Sequence, residues 1–225
     1  MAIMPSGYET SYNLLDVFSL PAILLVVLEE DPLIEPDLDM ETTMAVLGPH
    51  LPALHGCILR GFARYQEEYP SVVRAEHDNR AAAACVYAHI ATEVTATFEE
   101  VPQATMLDVR GLRVLNINDQ VVIRFKKVDE TGRSVSYPTM QARSFDRQLP
   151  LPNVPVAAVR LTVGYEPDLA FSEIVRVVVA CPLGKGIYWC TQINSEENGS
   201  ATWVDITPQR FPGTERFRRY GTGDA

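Results

Sequence analysis

No lysine or arginine occurs before Arg60, although the chain has 225 residues and 19 such cations in all. Residues 1–59 hold nine acids, from Glu9 to Glu41, and so carry −9 of the net −10. The remainder, with 19 basic and 20 acidic residues, is close to neutral. This balance argues against non-specific binding of the whole chain to nucleic acid or membrane, and leaves room for a local basic site. Long hydrophobic runs are also missing. Leu20–Leu28 (LPAILLVVL) has nine residues, no basic stretch before it and Glu-Glu-Asp after it. It is too short to span a bilayer and is flanked wrongly for a secretory signal. The four cysteines, Cys57, Cys85, Cys181 and Cys190, show neither C-x-x-C spacing nor histidines at zinc-finger distance. They read as reduced core residues, and the chain is expected to be cytoplasmic. There is no Walker loop, no G-x-G-x-x-G after a strand, no G-x-S-x-G and no zinc-ligand constellation. Those absences remove most nucleotide-binding, hydrolase and metallopeptidase readings, and neither cofactor nor metal is expected.

What is present divides the chain into an acidic N-terminal extension (1–45), an α+β domain (46–205) and a basic flexible tail (206–225). Within the domain, helices are expected over 46–100 and a sheet over 105–205. The fold class is α+β, with a helical N-terminal layer packed on a mixed or antiparallel sheet of five or six strands. In the extension, Tyr12–Leu28 reads as a helix begun at Pro21 or as a buried strand. Glu29–Glu41, with two prolines and seven acids, reads as a solvated connector. The alternative is an acidic strap over a basic site on this chain or a partner. Leu51, Leu54, Ile58, Phe62 and Tyr65 give one buried face to a helix over Pro49–Tyr69, which Pro70 ends. Ser71 is placed to cap a short continuation. Asp78 and Asn79 are N-cap candidates for the helix Arg80–Glu99, whose buried stripe is Val86, Ile90, Val94 and Phe98. After Pro102 the period becomes two. Leu112–Ile117 and Gln120–Val128 form a hairpin about Asn118-Asp119. Thr139 caps a short helix to Arg147. Strands follow at Val156–Tyr165, Glu173–Cys181 and Gly186–Ile193. Arg216, Arg218 and Arg219, with Phe211, Phe217 and Tyr220, mark the tail as a flexible end or an RNA- or partner-contacting arm.

The chemistry-bearing residues centre on the hairpin. Alternation turns Val121, Ile123 and Phe125 to one face, and Val122, Arg124 and Lys126 to an outer face. Arg124 and Lys126, with Asp108 and Asp119 nearby in sequence, suit phosphate binding, and Gln141 and Gln148 would orient the substrate. The plainer alternative is that Arg124, Lys126 and Lys127 keep the strand soluble or meet an acidic partner. His89 and Glu93, one turn apart on a helix, are more distant acid–base candidates; they also read as a half-buried pair or, with Cys85, as partial metal ligands. Glu76, His77 and Asp78 read as capping groups ahead of catalytic ones. The order of elements resembles the core of restriction-endonuclease-like nucleases, where an acid stands two residues before a lysine. Arg124 occupies that position here, so the pattern breaks where metal binding needs it.

A second resemblance covers roughly residues 75–195. It is carried by RFKKVDETGRSVSYPTMQARSFDRQLPLP, by RAAAACVYAHIATEV before it, and by LTVGYEPD and VACPLGKGIYW after it. The stretch resembles a family of uncharacterised bacterial and phage proteins often encoded beside helix-turn-helix regulators with a zinc-peptidase-like domain. The resemblance implies one half of a toxin–antitoxin-like or mobile-element pair. The expected function is an effector acting on a phosphate-bearing or nucleic-acid substrate and neutralised by a protein partner, such as the regulator or antitoxin. The alternative is a non-enzymatic module that docks onto and modulates the regulator.

Overall fold

The structure, a computed structural model, describes residues 39–135, 138–196 and 199–208. The run Tyr12–Leu28, nearly all of the acidic stretch and the arginines of the tail lie outside the described residues. The first described element is α1 (Met40–Leu47), where Asp39 caps the helix by accepting from Thr42 N at 2.8 Å. Met44 and Leu47 of α1 are fully buried. The expected boundary at 45/46 therefore falls inside a helix of the core. A single 3-10 turn (Gly48–His50) leads into α2 (Leu51–Glu68), followed by α3 (Ser71–Glu76) and α4 (Asn79–Phe98). The anticipated faces of α2 and α4 are the buried ones. Asp78 caps α4, accepting from Arg80 N and Ala81 N. Ser71 starts α3 instead of capping it, and Pro70 holds the cap position.

Seven strands follow in one sheet: β1 (Ala104–Val109), β2 (Leu112–Ile117), β3 (Val121–Lys127), β4 (Val159–Pro167), β5 (Ile174–Leu183), β6 (Gly186–Ser195) and β7 (Ala201–Asp205). Their spatial order is their chain order. All neighbours are antiparallel except β3 and β4, which run parallel. The α+β class stands, with a mixed sheet two strands wider than its apolar pattern shows. The added strands, β1 and β7, are the two edges. Each has one neighbour and is half-exposed along most of its length, so neither carries a strong alternation.

Helices α1, α2 and α4 cover one face of the sheet, over Ile123, Phe125, Leu161, Val163, Val177 and Val179. The parallel step from β3 to β4 requires a crossover. That crossover holds α5 (Met140–Asp146) and covers the opposite face, where Val122, Phe145, Leu151 and Val154 form a second cluster. Both faces of the central strands are thus buried; Val177–Cys181 of β5 reads as a continuous apolar run, whereas β3 and β4 bury Arg124, Arg160 and Thr162 among their apolar residues. Among the described residues no helix is long and apolar enough to cross a membrane.

The helical layer depends on a close crossing. A Cβ at Gly61 of α2 would lie 2.6–2.8 Å from side-chain and backbone atoms of Ile90 on α4. Gly61→Ala is therefore expected to lower stability by about 2 kcal/mol, overpacking outweighing the roughly 1 kcal/mol gain in helix propensity. Gly56→Ala, whose Cβ would meet only the end of the Arg60 side chain, serves as the control. Urea unfolding checks both. Equal stabilisation by the two substitutions would show that the helices part at no cost.

Candidate functional site

Strand alternation sends Arg124 to the face that α5 covers, so its guanidinium is buried at 3% exposure instead of presented to solvent as the hairpin pattern suggests. The register of the parallel pair places Arg124 opposite Thr162 of β4. Arg124 Nε donates to Thr162 Oγ1 at 2.9 Å, and Nη2 donates to Asp146 Oδ1 at 2.5 Å. The guanidinium also lies over the Phe145 ring, 4.7 Å from its centroid. Phe145 and Asp146 come from the last turn of α5, which Thr139 caps by accepting from Ala142 N at 3.2 Å. Burial pushes the Asp146 carboxyl above its ordinary value, against the opposing pull of Arg124. Burial likewise lowers the Arg124 guanidinium, and Asp146 opposes that shift. The arginine stays charged at neutral pH because its intrinsic value is so high.

This clamped guanidinium opens onto a small cleft of about 60 Å³. Gly132, Arg133 and Ser134 form one wall, and Pro182 and the Gly184–Ile187 segment of the β5–β6 hairpin form the other. Arg124, Arg133 and Lys185 face a single carboxylate, Asp146, so the lining carries a net positive charge. Both walls are fixed. Asp129 Oδ1 accepts from Thr131 N, Thr131 Oγ1 and Arg133 N, shaping the turn that carries Arg133. Burial works against the Asp129 charge, but these hydrogen bonds prevail and hold its carboxyl below the usual range. Gly132 adopts φ +81° and sits so close to β6 that a Cβ would come 2.6 Å from Cys190 Sγ. Across the cleft, Gly184 N donates to Asp146 O at 2.7 Å and ties the hairpin to α5. Preformed donors around a small cavity suit a tetrahedral oxyanion.

The other candidate residues separate. Lys126 turns its ammonium over the Tyr87 ring, 5.2 Å from the centroid, and lines a different groove. Gln141 is half-buried in the first turn of α5, outside the cleft lining. His89 and Glu93 lie across the sheet on α4 and face α2. Glu93 pairs with Arg60 Nε at 2.7 Å, whereas His89 Nε2 is 3.6 Å from Glu68, too far for a hydrogen bond. Asp108 and Asp119 serve local turns, accepting from Gly111 N and Asn116 Nδ2. Among the described residues no group of three or more His, Cys, Asp or Glu is placed to hold a metal ion. The four cysteines are unpaired, and burial pushes the thiols of Cys181 and Cys190 up to about 12.

Gln148 has a structural task in place of substrate orientation. The pairing of β4 with β5 ends at Thr162 and Ala180, and two residues beyond Ala180 stands Pro182, which has no N–H to donate. The Gln148 amide fills the gap. Its Nε2 donates to Arg160 O and to Pro182 O, both at 2.8 Å, and its Oε1 accepts from Arg160 N at 2.9 Å. Arg160 Nη1 returns a bond to Gln148 O at 3.0 Å. The sequence pattern carried no sign of this exchange. Nor did it single out Asp146, Thr162, Arg133 or Lys185, which meet Arg124 only through the crossover and the strand register.

Gln148→Leu is expected to cost about 3 kcal/mol, since it leaves buried peptide groups without partners. Gln141→Ala should change stability by less than about 0.5 kcal/mol. Urea unfolding of both variants checks the difference, and equal small effects would remove the structural role assigned to the Gln148 amide. Comparison of the chain with family models, with curated proteins and with solved structures finds no match, so no family enters from this side.

Proposed function

We propose that this chain binds the phosphate group of a small-molecule or nucleic-acid ligand in the Arg124 cleft. In this reading it is the effector of a toxin–antitoxin-like pair, acting in the cytoplasm and neutralised by a protein partner. The observation that carries the binding step is the buried guanidinium held by Asp146, Thr162 and Phe145, with Arg133 and Lys185 completing a positive lining. An arginine so pinned meets an oxyanion without losing further side-chain freedom, which favours binding over the same charge on a mobile surface chain. The gene-pair context rests on the sequence resemblance alone.

A second reading, the non-enzymatic module docking on a helix-turn-helix regulator, is favoured by one feature. His89 and Glu93 lie on the far side of the sheet from Arg124, and the carboxylate in the cleft, Asp146, is engaged by the guanidinium. An anion in the cleft would then act as a signal for docking instead of a substrate.

The exposed cations allow a test that spares the fold. Arg133→Ala with Lys185→Ala should weaken binding of inorganic phosphate, read by calorimetry at low salt, at least about tenfold, with circular dichroism and urea midpoint unchanged. Growth of a bacterial host expressing the wild-type chain should be arrested, and the double variant should relieve the arrest. Unchanged phosphate affinity in the double variant, or no measurable affinity in the wild type, would remove the cleft as an anion site. Phosphate binding without growth arrest would select the docking module.

A further inference from the structure

A second concavity, of about 530 Å³, lies between the N-terminal half of α4 and the end of β3. It shares no lining residue with the Arg124 cleft. Among the described residues its charged lining is Arg80, Lys126 and Lys127, with no acid. Among the described residues none of these three cations forms an ion pair. Aromatic rings steady the lysines instead: Lys126 Nζ is 5.2 Å from the Tyr87 centroid, and Lys127 Nζ is 5.0 Å from that of Phe171. Such contacts orient a cation without neutralising it. Burial, and for Lys126 the like charge of Arg124, lowers both ammonium groups from their ordinary values, with Asp146 opposing at Lys126. Among the described residues no carboxylate comes close enough to pair with either ammonium.

Apart from the polar Asn79 and the larger Tyr87, the remaining lining is small and apolar. Ala83, Ala84 and Tyr87 line the α4 side, and Val135 adds an exposed apolar side chain. The strand side is also open. Strand β2 pairs with β3 no further than Ile123, so among the described residues no strand pairs with that edge of β3 over Arg124–Lys127. Val135 N reaches the edge only at its end, donating to Lys127 O. Apolar walls, unpaired cations and a strand edge without a partner strand together define a seat for an extended chain that is both acidic and apolar.

We propose that this groove docks an acidic, extended segment of a partner protein. Its carboxylates would meet Arg80, Lys126 and Lys127, and a small aliphatic side chain would rest against Ala83 and Ala84. This takes up the protein partner of the reading above and gives it a chemistry, but it does not depend on phosphate binding. A nucleic-acid strand fits less well. The one aromatic ring of the lining, Tyr87, is already covered by the Lys126 ammonium, and the alanine and valine walls offer no surface on which bases stack.

The test is fluorescence anisotropy with the full chain and a labelled heptapeptide in which Glu or Asp alternates with Leu or Val. The wild type should bind it, with affinity falling as salt rises. Arg80→Gln with Lys127→Gln should weaken binding at least tenfold, and so should Ala84→Glu, which places a carboxylate among the cations on an exposed helix position. Arg133→Ala with Lys185→Ala should leave peptide binding unchanged, which separates this groove from the phosphate cleft. A peptide with Gln for Glu and Asn for Asp should bind at least tenfold more weakly. Absent binding would overturn the proposal. So would equal binding of the neutral peptide, or a single-stranded oligonucleotide that binds more tightly than the peptide and displaces it.

Discussion

Two adjacent strands that run the same way cannot be joined by a tight turn, and most of what is particular to this fold follows from that constraint. Because β3 and β4 are parallel, the chain between them must leave the sheet and return. It does so across the face that the N-terminal helices leave free. The crossover therefore converts a sheet with one covered side into one with two, and brings α5 over a strand that carries an arginine. Burying that guanidinium without partners would cost several kcal/mol. Thr162, Asp146 and Phe145 compensate it from three directions, two of them supplied by the crossover itself. The cleft is the space left between this clamp and the loops that hold it.

The two basic sites differ in how their charges are held. Arg124 answers to a carboxylate, so part of its field is already spent. Lys126 and Lys127 rest on rings, which hold a cation in place but add no negative charge. A chain whose acids outnumber its cations by ten still keeps three cations together, with no pairing acid among the described residues. Charge distribution, far more than net charge, decides which ligands such a molecule meets.

Local structure was legible where local chemistry dictates it. Asp78 before an alanine-rich run, Asn118-Asp119 between two apolar stretches and Thr139 before a short amphipathic segment each mark an end that the structure reproduces. The turn residues Asn118 and Asp119 both adopt φ +57°, and Gln120 N closes the turn on Ile117 O, which makes the connection three residues long. Edge strands were not legible, because a strand with one neighbour and a half-exposed face needs no strong pattern. Nor was the cleft. Thr162 is 38 residues from Arg124 and Asp146 is 22, and nothing short of the strand register says that they meet. Alternation correctly set Arg124 opposite to Phe125, but it reads only which side a residue takes, not what covers that side.

The amide of Gln148 has a consequence for the order of assembly. Beyond the Thr162–Ala180 pair the proline at position 182 offers no N–H, and the amide that bridges Arg160 and Pro182 comes from just past the end of α5. The seam between β4 and β5 at this point cannot reach its native hydrogen bonding until the crossover has docked. Nor can the end of α5 settle before both strands are near enough to receive it. Helix and seam depend on each other, so the second face of the sheet is a cooperative unit, and the positive cleft first exists when that unit closes.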